Sequence, residues 1–149
     1  MRTVEEALAA IPGRRDALDR VDQRLTHVIK YVERVLTELK IGVSADVRYT
    51  TTDGAFFLSF GKHGGRWTVL WSAEPDDAPV TPLVSAPRHV RAEVFELRDD
   101  YSLSPIERLI VETAESLMEI KDERSVALDT AMRLASVLEK AGFPDEGGQ

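Results

Sequence analysis

Apolar side chains recur at Leu18, Val21, Leu25, Val28, Val32, Val35 and Leu39, with spacings that alternate three and four. That is the period of an α-helix presenting one unbroken apolar face. With Leu18 taken as heptad position a, Ile29 and Leu36 fall at e and widen the stripe past the seam of a two-stranded coiled coil. Such a face suits a helix lying on a sheet, or one in a bundle with more than one neighbour. Asp19, Gln23, Thr26, Lys30, Glu33 and Thr37 form the opposite, wet face, and His27 sits on the polar side. Upstream, Thr3-Val-Glu-Glu6 fits a capping box and predicts a short helix through Ala10, ended by Pro12-Gly13. The long helix then runs from about Arg14 to Lys40 and is stopped by Gly42.

From Val43 the period drops to two: Val43, Ala45, Val47 and Tyr49 alternate with Ser44, Asp46, Arg48 and Thr50, as in a half-buried strand. Asp53-Gly54 predicts a two-residue hairpin turn, Ala55–Phe60 the returning strand, and Gly61-Lys-His-Gly-Gly65 the next turn. Arg66–Ala73 is a third strand, with Trp67, Val69 and Trp71 on one face. After a Pro/Asp loop at 75–79, Val80–Val84 is a possible fourth, confined to an edge by Pro82.

Helical periods then return. Ser85 is expected to cap a helix through about Asp99, with Val90, Val94 and Leu97 facing inward. Ser104-Pro-Ile-Glu107 combines a Ser N-cap, Pro at the first helical position and Glu at the third. The helix it starts carries Ile110, Ala114 and Leu117; residues 119–125 interrupt that face, and Leu128, Ala131, Ala135 and Leu138 resume it. One long helix is favoured over two, ending at Gly142-Phe-Pro144.

The fold class is therefore α+β: a long N-terminal helix, a three- to four-stranded antiparallel meander, then two or three C-terminal helices. We expect a single domain over 1–149, with a helical part at 1–42, the sheet at 43–84, a helical part at 85–142 and a frayed tail at 143–149.

Charge changes the picture more than size does. Residues 1–91 hold 13 Lys/Arg against 12 Asp/Glu, whereas residues 92–149 hold 6 against 14. The acidic C-terminal third makes nucleic acid an improbable partner. A basic partner surface would suit it. There are no cysteines, which excludes disulfides, thiolate metal sites and Cys nucleophiles. Neither a signal-peptide core nor an apolar run long enough for a membrane span is present, so we expect a soluble, cytoplasmic protein.

Catalytic patterns are missing. No G-x-S-x-G elbow, phosphate loop or G-x-G-x-x-G fingerprint occurs, and no enzyme is expected. His89 and Glu93 stand four apart on a helix, which is half of a metal site; no second His–acid pair accompanies them, so no metal or cofactor is expected. Lys62, His63 and Arg66 near the glycine-rich turn, with Arg88 and Arg91 of the following helix, form a candidate anion site if those elements converge. Six of the ten aromatic residues lie between Tyr49 and Trp71 and call for cover on the sheet.

Excess helix length and apolar stripes on several elements favour a non-enzymatic interaction or adaptor subunit, a homodimer or part of a larger complex. Val28, Ile29, Val32, Leu36, Leu128, Ala131 and Ala135 are its candidate assembly residues. The alternative is a sensor of a small anionic, nucleotide-like ligand. The helix–meander–helix order of a small acidic chain is also loosely similar to that of secretion chaperones and bacterial immunity or antitoxin proteins. That similarity implies a third role, as a defence-system accessory protein.

Overall fold

The computed structural model describes residues 3–75 and 78–145; part of the 75–79 loop and the end of the expected frayed tail lie outside them. The chain is α+β, with helix α1 (Val4–Glu38), strands β1 (Ala45–Thr51), β2 (Gly54–His63), β3 (Arg66–Ala73) and β4 (Thr81–Pro82), and helices α2 (Arg88–Glu96) and α3 (Pro105–Lys140). Two compact units are present, residues 1–113 and 114–149.

Helix α1 begins as its capping box requires, with the Thr3 hydroxyl accepting from the Glu6 N–H at 3.2 Å. It does not stop at Pro12-Gly13: one helix runs through both. Pro12 lacks the N–H that would bond to the carbonyl of Leu8. Side chains around it are exposed, so water can reach that carbonyl. The helix closes at Glu38, before Gly42, because Lys40 adopts φ 52°.

The sheet is a four-stranded antiparallel meander in the order β1-β2-β3-β4. The first turn sits one residue earlier than its Asp-Gly signal suggests. Thr51 pairs with Gly54, leaving Thr52 and Asp53 as the loop, and Gly54 takes φ 135°. The second turn is tighter than expected too: Gly61, Lys62 and His63 belong to β2, and only Gly64 and Gly65 turn. Both have positive φ, 59° and 79°, the conformation a two-residue hairpin needs to match strand twist.

Register places Tyr49, Phe56, Phe60, Trp67 and Trp71 on one face and Phe57 on the other, so the aromatics need one covering layer, not two. Phe56 stacks on Trp71 at 5.5 Å between centroids, Phe60 on Trp67 at 5.3 Å, and Trp71 Nε1 donates to the Tyr49 hydroxyl at 3.0 Å. Ile29, Leu58, Val69, Leu83, Val94 and Leu109 fill the core with them and are fully buried. Burial pushes the Tyr49 hydroxyl up to about 12, and the nearby Glu93 carboxylate adds to the shift while the Trp71 bond opposes it.

The expected helix from Ser85 is shorter. Leu83–Ser85 forms a 3-10 turn, and α2 starts only after Pro87. Helix α3 starts at Pro105 with its capping box closed in both directions: the Ser104 N–H and hydroxyl reach Glu107 Oε1 at 3.0 and 2.8 Å, and the Glu107 N–H points back to Ser104 Oγ at 3.4 Å. It is one continuous helix through 119–125.

Candidate functional site

The polar face of α1 is less wet than its composition suggests. Helix α2 lies against it, and the two enclose a cleft of about 430 Å³ lined by Asp19, Asp22, Gln23, Thr26, His27, Lys30, Arg88 and Arg91. The Arg88 guanidinium donates to Asp19 at 2.8 Å and stands 3.5 Å from Asp22. The Arg88 side chain is 62% exposed, so solvent screens the pairing and it contributes about 0–1 kcal/mol. Arg91 donates to the Thr26 hydroxyl, and its Nε is buried without a hydrogen-bond partner among the described residues. Neither Arg91 nor Lys30 has an ion-pair partner among those residues. The cleft thus holds an arginine paired with two aspartates, and two further cations that form no ion pair among the described residues.

Lys62, His63 and Arg66 do not line that cleft. They stand at the β2–β3 hairpin, where Lys62 Nζ lies 5.8 Å from the centroid of the Trp67 ring and His63 is exposed. Arg66 lines a separate cleft with Glu33, Arg34, Glu38 and Trp67, to which Lys30 also contributes. The five cations therefore form two groups, and α2 approaches the other hairpin, at Asp53. Because Gly61–His63 is paired in the ladder, its backbone N–H groups do not form the anion-binding nest that the glycine run allows.

Three polar residues of α1 gain roles that periodicity alone does not reveal. Asp19 and Thr26 hold the arginines of α2. Glu33 caps the sheet: its Oε1 accepts from the Val69 N–H at 2.8 Å, a donor on the side of β3 that two-residue β4 does not reach. Burial raises the Glu33 pKa above the ordinary carboxylate value, while the Val69 bond and the charges of Arg66 and Lys30 oppose that rise.

The candidate assembly residues divide sharply. Ile29 and Leu36, at heptad position e, are 0% and 5% exposed and belong to the core, so neither is free to meet a partner. Val32 packs half-buried against the same core. Val28, at d, is 42% exposed, and the uncovered stripe continues towards the helix start through Val21, Leu18, Ile11, Leu8 and Val4. The sheet takes the e side of α1, and its N-terminal half extends beyond any residue that is buried. In residues 114–149, Leu128 and Ala131 are exposed and Ala135 is half-buried. Met132, Leu134, Val137 and Phe143 share that exposure, and none of the four stood out by heptad spacing. The described residues of this unit form a single helical stretch with no second layer of their own.

On the opposite flank of α2 from the arginines, His89 and Glu93 meet Asp53, and among the described residues these three are grouped closely enough to hold an ion. No helix among the described residues is long and apolar enough to cross a membrane. No protein-family model matches the chain, and neither curated proteins nor solved structures yielded a match.

Proposed function

We propose that this chain is a non-enzymatic interaction subunit that assembles through its long helices, with a second copy of itself as the first partner. The observation that carries this reading is the helix over residues 114–140. It carries Leu117, Met118, Val126, Leu128, Met132, Leu134, Val137 and Leu138, from 37% to 68% exposed, in a unit whose described residues form no second layer. Left bare, such a helix keeps these side chains in water, whereas burying one of them fully contributes about 1.5–3 kcal/mol. The bare stripe of α1 from Val4 to Val28 offers a surface of the same kind. Charge supports pairing between different parts of two copies, since residues 92–149 are strongly acidic and residues 1–91 are balanced.

Light scattering after size exclusion at micromolar concentration tests this. A dimer or larger species is expected, and it should dissociate in a Leu128→Asp/Leu138→Asp variant. A monomeric mass at every concentration would overturn the proposal.

A second reading is favoured by the buried, unpartnered Nε of Arg91 beside Lys30: a small anionic ligand, such as a nucleotide, held between α1 and α2. Thermal-shift screening against nucleotides separates the two readings. A ligand at 100 times its Kd should stabilise by about 2.7 kcal/mol, and Arg91→Gln should remove that gain.

A further inference from the structure

The His89–Glu93 pair lacks a second set of ligands in sequence, and the fold supplies one more from a distant segment. The β1–β2 loop brings the Asp53 carboxylate to α2, so that one donor atom from each of Asp53, His89 and Glu93 lies within 4.8 Å of the others. His89 and Glu93 occupy successive turns of one helix flank, and Asp53 faces them across a two-residue loop held by the hydrogen bond from its own N–H to Thr51 Oγ1 at 3.0 Å. None of the three side chains makes a hydrogen bond or an ion pair among the described residues. Two carboxylates and an imidazole thus converge with their lone pairs uncommitted.

We propose that Asp53, His89 and Glu93 form a divalent transition-metal site of the zinc type, which ties the first hairpin to α2. One imidazole among two carboxylates favours a borderline ion over Ca²⁺ or Mg²⁺, which take oxygen-only shells. Around Zn²⁺, ligand atoms bonded at about 2.0–2.2 Å in a tetrahedron stand about 3.4 Å apart. The three donor atoms lie within 4.8 Å of one another, so the widest gap exceeds that spacing by at most about 1.4 Å. Asp53 and His89 are exposed and Glu93 is half-buried at the rim, so small side-chain rotations close the gap without moving the core. With three protein ligands, the ion keeps an open position for water or for a donor from another molecule.

The test uses the full chain, free of any affinity-tag histidines, titrated with ZnCl₂ by calorimetry. One saturable site is expected, weakened at least tenfold in each of His89→Ala, Asp53→Asn and Glu93→Gln. His27→Ala and His63→Ala should bind as the parent does. All five positions are surface or rim positions, and matching far-UV circular dichroism confirms that each variant is folded. Absence of saturable binding up to 100 µM Zn²⁺, binding that survives His89→Ala, or binding lost through His27 or His63 instead would each overturn the assignment.

Discussion

Whether α1 serves the sheet or a partner at a given position can be decided by two substitutions one residue apart. Ile29 is fully buried between α1 and the sheet, whereas Val28 is 42% exposed. Ile29→Ala removes buried methyl and methylene groups and leaves a cavity in a region already filled by Leu58, Val69 and Leu83, at a cost of about 2–5 kcal/mol. Val28→Ala removes less carbon from a side chain that keeps much of its hydration, so about 1 kcal/mol or less is expected for the monomer. With a urea m-value of about 2 kcal/mol/M, Ile29→Ala should lower the unfolding midpoint by about 1–2.5 M and Val28→Ala by no more than about 0.5 M. Urea titrations followed by far-UV circular dichroism, run at two protein concentrations, give both numbers. The second concentration separates loss of fold from loss of assembly, because only a dimer's midpoint depends on it. The reasoning is wrong if Val28→Ala costs as much as Ile29→Ala at the lower concentration, since the e side would then not be the core side.

Three further outcomes follow from the same structure. Glu33 has a folded-state pKa above its unfolded one, so its contribution is fully present below about pH 4.5 and is lost as pH rises through the folded value. Glu33→Gln keeps an acceptor for Val69 and removes the charge, so melts between pH 4 and 8 should lose that slope and the variant should be no less stable at pH 7. Glu107 has the opposite sign. Its bonds from the Ser104 backbone and hydroxyl lower its pKa, so its contribution is present above about pH 4.5 and is lost as pH falls through the folded value. Ser104→Ala should destabilise by about 1 kcal/mol through loss of the cap and should weaken this acid-side dependence. Gly64→Ala and Gly65→Ala each force a side chain into positive φ and should cost about 1–2 kcal/mol apiece, measurable as a lowered Tm with the fold retained.

Much of the architecture was legible in the chain because local signals and tertiary demands agree. Ser104-Pro-Ile-Glu107 starts a helix wherever it is placed, and alternating strands with Gly64-Gly65 between them can hardly do other than form a hairpin. The exceptions arose where a local rule met a condition it does not contain. Pro12 removes one helical hydrogen bond and crowds the Leu8 carbonyl, but here water can satisfy that carbonyl and the helix continues. Asp53-Gly54 suggested a turn centre, yet Gly54 is needed at φ 135° to open β2. The site was harder to read. Periodicity identifies the e residues of α1 as apolar, and it does not say that the sheet takes the e side and leaves Val21 and Val28 bare. Asp19 and Thr26 looked like solvated positions because their partners, Arg88 and Arg91, come from a helix far along the chain. Asp53 and His89 meet for the same reason: only the register of the first hairpin brings them together.

The stacked aromatic face has a consequence for observing the molecule. Both tryptophans of the chain, Trp67 and Trp71, sit on β3 within residues 1–113, and Phe143 is the one aromatic among the described residues of 114–149. Intrinsic tryptophan emission therefore originates in the first unit alone, while helical ellipticity at 222 nm records both. A single melt followed by the two signals becomes a direct gauge of cooperativity between the units. Coincident curves would mean that they unfold as one, and an ellipticity loss preceding the emission change would isolate the free energy of the terminal helix.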